Sequence, residues 1–362
     1  MANKMVANIK SLSEGVTGLT KHVNELYAAL AKVNIVASKT LKDAKGAVNT
    51  VGGTANLTKG STRMDLGTES ASFAQPAGGS GLNRMSTSLA KFSQTPGGMA
   101  ALDLLINSLS DSDFWVPKYH WGSWNKILKI HNKNILQFDD FNLSEFRPEN
   151  GVVMLCFPSN PTGWIPDLAE LEEFMQYANS KGITVILDIP YFYLFNEENH
   201  PINNLFTDNV IVVSSFSKSL GLSGFRVGYV ATKNAELQKS MRVRSLYKYN
   251  SISNVPQKII LKMLTSIEGN RSLSEYCELT KSHISKNIQY LKERNFLFSE
   301  YPSDPIGPFA IVNINFDELL LNKISSVPLK KFSLDKTISN DYSRISLAVN
   351  SDLFKKYSDL IN

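Results

Sequence analysis

Residues 214–229 read Ser-Ser-Phe-Ser-Lys-Ser-Leu-Gly-Leu-Ser-Gly-Phe-Arg-Val-Gly-Tyr. Lys218 follows the apolar run 210–213, with hydroxyls at Ser215 and Ser217 and a guanidinium at Arg226. That set suits one chemistry. A primary amine can form an imine with an aldehyde cofactor, while two hydroxyls and an arginine fork hold a phosphate dianion beside it. A Ser/Lys/Gly-rich loop is also an ordinary connection between strands, so its neighbours have to decide.

Several further stretches place polar or aromatic residues where strands should end. Residues 113–117 read as a strand, followed by Tyr119, His120, Trp121 and Trp124. Residues 151–157 read as a buried strand ending in Ser159-Asn160-Pro161-Thr162-Gly163, a turn that launches a helix over 167–180. Gly182 stops that helix, and 184–189 is the next strand, with Asp188 at its end and Tyr191 just beyond. The apolar runs 210–213 and 227–231 flank the lysine loop. This alternation predicts an α/β fold with a doubly wound, mostly parallel sheet, in which ligands gather at the carboxyl ends of the strands. Trp121, Asn160, Asp188, Tyr191 and Lys218 all fall at or just past such ends. Thr95-Pro96-Gly97-Gly98-Met99 leads into an apolar helix over 100–109, whose first N–H groups offer an anion site. The same glycines also serve as a plain helix cap.

Beyond residue 231 the pattern predicts two or three helices, near 235–249, 255–266 and 272–294. Short strands at 309–314 and 343–348 then make a small α/β lobe. The expected organisation is a helical segment and linker over 1–60, a large domain over 61–250 and a small C-terminal domain over 251–362.

The first fifty residues differ in character. Apolar side chains at Met5, Ile9, Leu12, Val16, Leu19, Val23, Leu26, Leu30, Val33 and Ala37 follow the a/d spacing of a helix with one sticky seam. Gly15, Thr17 and Gly18 weaken it and can split it in two. Such a seam can lie on its own protein, self-associate or dock to a partner; a membrane surface fits least, because Trp and Phe anchors are missing. Residues 50–62 read as a linker, 64–73 as a short extended segment and 77–81 as a glycine-rich loop.

Composition excludes several classes. Of 38 Lys and Arg, eight Lys lie in residues 1–60 with three acidic residues, so the net charge of +5 resides there and the remainder is neutral. No basic nucleic-acid face is indicated. Cys156 and Cys277 have neither disulfide nor zinc spacing, which fits a reducing compartment. No apolar run approaches transmembrane length and no secretory pattern opens the chain, so the cytoplasm is expected.

Taken in order, the TPGG at Thr95, the tryptophan loop at Trp121, the NPTG at Asn160, the D-x-x-Y at Asp188 and the SxSK…R from Ser215 to Arg226 carry a resemblance. Residues 64–362 resemble the fold type I pyridoxal-phosphate enzymes, specifically the class I and II aminotransferases. The resemblance implies a pyridoxal 5'-phosphate cofactor, a homodimer, and an amino acid and a 2-oxo acid as substrates. It implies that Lys218 carries the cofactor's aldehyde and moves the proton, and that Asp188 pairs with the ring nitrogen. Asn160 and Tyr191 would donate to the ring's phenolate oxygen, and Trp121 would stack on the ring. Gly97, Gly98, Met99, Ser215, Ser217 and Arg226 would hold the phosphate. Arg344, in Ser343-Arg344-Ile345-Ser346, matches the arginine that grips the substrate carboxylate; by itself it also reads as a surface arginine at a strand edge.

The chain departs from the pattern where Met99 replaces a phosphate-binding Thr of the aspartate-specific relatives. Gln75 and Pro76 stand where a phosphate tyrosine is often found. Glu69 replaces a glycine, placing an acidic chain near the substrate's entrance and favouring a basic or polar substrate. The same cofactor scaffold also serves elimination, decarboxylation, oxidation or cyclisation, and a binding protein could retain the fold.

Overall fold

A computed structural model describes residues 91–191, 207–250 and 252–359. The expectations for residues 1–62, 64–73 and 77–81, Glu69 among them, lie outside the described residues.

Among the described residues seven strands form the main sheet, in the order β1-β7-β6-β5-β4-β2-β3. They are β1 (Lys91–Thr95), β2 (Asp113–Pro117), β3 (Asn134–Phe138), β4 (Val152–Cys156), β5 (Thr184–Asp188), β6 (Val210–Ser215) and β7 (Gly228–Thr232). β3, β2, β4, β5 and β6 run parallel. β7 is antiparallel to β6 and to β1, so the sheet is mixed but mostly parallel.

Every residue of β4, β6 and β7 is buried, as strands covered on both faces must be. One face presents Val153, Leu155, Val185, Leu187 and Val212 to the helix Leu168–Ser180, through Leu171, Phe174 and Ala178. The other presents Met154, Ile186, Ile211, Val213 and Val230 to the helices Gly98–Ser108, Ser123–Ile130 and Ala235–Tyr249. Asp167 starts the first of these helices by accepting from Ala169 N at 2.9 Å, and Gly182 follows it with a positive φ of 67°.

Three helices follow β7: Ala235–Tyr249, Asn254–Thr265 and Ile267–Glu293. β8 (Phe309–Val312), β9 (Ser326–Pro328) and β10 (Ser343–Ser346) then form a small antiparallel sheet in the order β8-β10-β9. β1, β3, β9 and the helices Ser123–Ile130, Phe316–Leu321 and Ser351–Ser358 were not anticipated from the sequence. No helix among the described residues is long and apolar enough to cross a membrane.

Candidate active site

The parallel strands deliver their carboxyl ends to one rim. Cys156 closing β4 pairs with Asp188 closing β5, and Asp188 pairs with Val213 of β6. Gly228 opens β7 between Ser215 and Thr95, which brings the Gly97–Gly98 turn to the same edge.

One end of the rim is built from close backbone approaches. Gly97 has φ 99°, a region that glycine enters without penalty. A Cβ there would lie 2.3 Å from Arg226 Nη2, and one on Gly228 would lie 2.6 Å from the Gly97 carbonyl carbon. Arg226 is itself left-handed, with φ 52°, and its guanidinium reaches Ser223 O at 3.0 Å, Ser217 Oγ at 3.5 Å and Pro96 O at 3.5 Å. A Cβ on Gly98 would come 3.5 Å from Ser215 Oγ. Two hydroxyls, a guanidinium and the first N–H groups of helix Gly98–Ser108, which have no partners within the helix, therefore meet at one point. Met99, in the first turn of that helix, is 44% exposed.

Lys218 stands on the short helix Phe216–Ser219 that continues β6, with its side chain exposed while Ser217 and Ser219 beside it are buried. Asp188 is buried, and Trp124 Nε1 donates to its Oδ2 at 3.2 Å. Burial pushes the Asp188 carboxyl up to about 7, partly offset by that bond. Near neutral pH it is therefore poised between charged and neutral. Tyr191 is buried edge-on to Phe309, with ring centroids 5.7 Å apart. Burial first, then Cys156 and Asp188, hold its phenol well above its ordinary value, so it remains a donor. Trp121 is half-buried against the same core cluster that includes Tyr191 and Trp124.

From the small sheet, Arg344 on β10 donates through Nη1 to Asn160 Oδ1 at 3.5 Å. Its guanidinium lies over the rings of Phe309 (4.3 Å) and Phe332 (5.3 Å). Its Nε is buried without a partner among the described residues. Arg344 is thus part of the cluster and not a surface arginine at a strand edge.

Asn160 and Arg344 are joined by a hydrogen bond, with Asp188 and Tyr191 within electrostatic reach of each other beside them, and Gly97, Gly98, Ser215, Ser217 and Arg226 form another group along the same rim. Sequence reasoning assigned no role to Trp124, Phe309 or Phe332. Trp124 carried a signal, since it follows Trp121 by three residues at the opening of an amphipathic helix. The two phenylalanines carried none.

A model of the family described as "Aminotransferase class I and II" matches residues 11–303, which begins inside the segment set apart above as 1–60. Among curated proteins, the histidinol-phosphate aminotransferase of Staphylococcus haemolyticus is 30% identical over 150 residues, covering 39% of this chain and 42% of that one. That of Methanococcus aeolicus is 29% identical over 191 residues, covering 46% and 50%. The chain thus spans about half the length of the curated relatives it matches. Among solved structures, a tetra mutant of Thermus thermophilus aspartate aminotransferase superposes with a TM-score of 0.62 at 20% identity, over 74% of this chain and 78% of that one. The aromatic aminotransferase of Pyrococcus horikoshii gives 0.64 at 17% identity, over 75% and 78%. These superpositions establish a common fold, and the match over most of its length places the chain in the aminotransferase class I and II family.

Proposed function

We propose that the protein is a pyridoxal-phosphate-dependent aminotransferase, moving an amino group between an amino acid and a 2-oxo acid. The observation that carries this reading is the rim itself: an exposed lysine, a buried carboxylate and an anion cradle on adjoining strand ends. The residues fit the cofactor. Asp188 is a buried acid with one hydrogen bond to its side chain among the described residues, as a partner for a protonated ring nitrogen should be. The approach of Gly97, Gly228 and Arg226 leaves no room for side chains there and suits a phosphate on backbone N–H groups.

When bound, the cofactor supplies an aldehyde for the amino group and an electron-withdrawing ring that stabilises charge at the substrate's α-carbon. Lys218 would hold the cofactor through its amine and would serve as the base for the proton at the substrate's α-carbon. Asp188 would face the ring nitrogen and favour its protonated form, a cationic partner drawing the carboxyl to the charged form. Tyr191 and Asn160 donate to the phenolic oxygen. Gly98 and Met99 through their N–H groups, with Ser215, Ser217 and Arg226, would hold the phosphate, while Gly97, whose own N–H donates to Thr95 O at 2.8 Å, leaves the space for it. Trp121 would cover the ring and exclude water.

Arg344, held between two aromatic rings, offers its planar fork to an anionic group of the substrate. That fork fits a carboxylate, and it fits the phosphate in the name of the curated relatives equally well. Exposed Val243, Leu246 and Tyr247 on helix Ala235–Tyr249, with Val255 beyond, support assembly as a homodimer. Transamination is favoured over elimination or decarboxylation by the family match alone.

Borohydride reduction of the protein loaded with pyridoxal phosphate should fix the cofactor on the peptide carrying Lys218. Labelling of another lysine would overturn the assignment. Formation of the amine form of the cofactor on mixing with an amino acid would mark transamination, whereas release of ammonia or carbon dioxide would mark the alternatives.

A further inference from the structure

The tryptophan loop ends in a residue that none of these roles uses. Trp124 is fully buried in the first turn of helix Ser123–Ile130, and its indole N–H makes the one hydrogen bond to the Asp188 side chain among the described residues. The indole is held on two sides. It stacks on His120, with centroids 6.2 Å apart and planes 13° apart, and the main-chain N–H of Trp124 donates to Trp121 O at 2.9 Å. His120 is tied at both ring nitrogens, Nδ1 to Pro117 O at 2.7 Å and Nε2 to Asn125 Oδ1 at 2.9 Å. The strand end, the imidazole and the indole thus form one packed series ending on Oδ2.

We propose that Trp124 is the positioning residue for Asp188, fixing Oδ2 with a neutral donor and leaving Oδ1 as the oxygen offered to a ring nitrogen. An indole N–H only donates, so it favours the carboxylate without neutralising it. A lysine or arginine in its place would hold Asp188 ionised whether or not a ligand were present. With an indole, the charge of Asp188 is decided by what arrives opposite. The groups facing Asp188 agree with this arrangement. Cys156 of β4 and Tyr191 beyond β5 are both buried and held in their neutral forms, Arg344 stands behind Tyr191, and His120 lies behind the indole. Lys218 stands on the short helix after the neighbouring strand β6 and is exposed. The ring-nitrogen half of the proposal rests on the pyridoxal-phosphate reading; the contact itself does not.

The test replaces Trp124 with benzothienylalanine, which keeps the ring's shape and lacks the N–H, with Trp124→Phe as a second variant. Isotope-edited infrared titration of the aspartate carboxyls in the apoprotein, assigned against Asp188→Asn, reads the contact without cofactor. Asp188 should titrate about one pH unit higher in the benzothienyl variant, the size expected for one lost hydrogen bond to a charged group. Pyridoxal phosphate should bind about tenfold more weakly near neutral pH. An unmoved titration overturns the proposal, including where Trp124→Phe merely melts earlier, because that is packing alone. A moved titration with unchanged cofactor affinity overturns the positioning role. If the parent protein itself takes up no pyridoxal phosphate, the functional reading fails and the ring-nitrogen role with it, whatever the titration shows.

Discussion

Two buried carboxyls do different work in this molecule. Asp188 lies on the rim with a donor against it, and its replacement by Ala should leave the fold and cofactor labelling at Lys218 intact. Turnover should fall by several kcal/mol of transition-state stabilisation, on the order of 10³-fold, as for other preorganised electrostatic groups. Single-turnover kinetics within about tenfold of the parent would contradict this. Asp140 lies just past the end of β3, buried, with Oδ1 lacking a partner among the described residues. Burial pushes it up to about 8, so it is mostly neutral at pH 7. Both folded values lie above the ordinary 3.8, so the folded chain binds more protons than the unfolded one. Stability of the apoprotein is therefore greatest below about pH 4 on this account and is lost as pH rises through 7 and 8. Each group contributes a slope of up to about 1.4 kcal/mol per pH unit within that window. Asp140→Asn should flatten the slope and raise stability near pH 9 by roughly 1–3 kcal/mol relative to the parent. Urea melts at several pH values check this, and an unchanged slope would exclude Asp140 as its source.

The turn Ser159–Trp164 is fastened to the small sheet more firmly than its role as a strand-end loop requires. Tyr301 donates its hydroxyl to Thr162 O at 2.5 Å and accepts from Ile311 N at 2.9 Å. Ile306 N and Gly307 N both donate to Gly163 O, at 3.0 and 2.7 Å, and Trp164 Nε1 donates to Ser303 Oγ at 2.9 Å. Gly163 has φ 67°, and a Cβ there would meet Phe309 O at 1.9 Å. Strand β8 then carries Phe309 under Arg344, which contacts Asn160 on the same turn. Turn and small sheet are thus one unit around Asn160 and Arg344. Tyr301→Phe leaves Thr162 O and Ile311 N without that partner and should cost about 1–3 kcal/mol of stability. It should raise KM for the amino substrate several-fold while leaving borohydride labelling of Lys218 unchanged. A variant with parental KM and a lower melting temperature would show that the hydroxyl serves stability alone.

At the scale of the whole molecule, each described residue assigned to cofactor or substrate lies beyond residue 95. Deletion of residues 1–60 is therefore expected to leave pyridoxal-phosphate binding and turnover largely intact while changing assembly size or partner binding. Light scattering and a turnover assay of the truncated chain check both halves. Because the family match begins at residue 11, loss of cofactor binding on truncation would move the boundary of the catalytic body into that segment. The sequence by itself determined the α/β order of the central strands and the strand-end positions of Asn160, Asp188, Tyr191 and Lys218. Strands covered on both faces must be unbroken apolar runs, so β4, β5, β6 and β7 were visible in one dimension. The β3 strand at the sheet's edge, Asn-Ile-Leu-Gln-Phe, is only half-buried and carries no such run, so it was not visible. What the tertiary structure alone decided is which side chains meet. Trp124 reaches Asp188 across 64 residues and Arg344 reaches Asn160 across 184. Local periodicity reports the environment of a residue over a turn or a strand. It holds no record of a partner that only the closing of the sheet and the packing of the small lobe bring within hydrogen-bond distance.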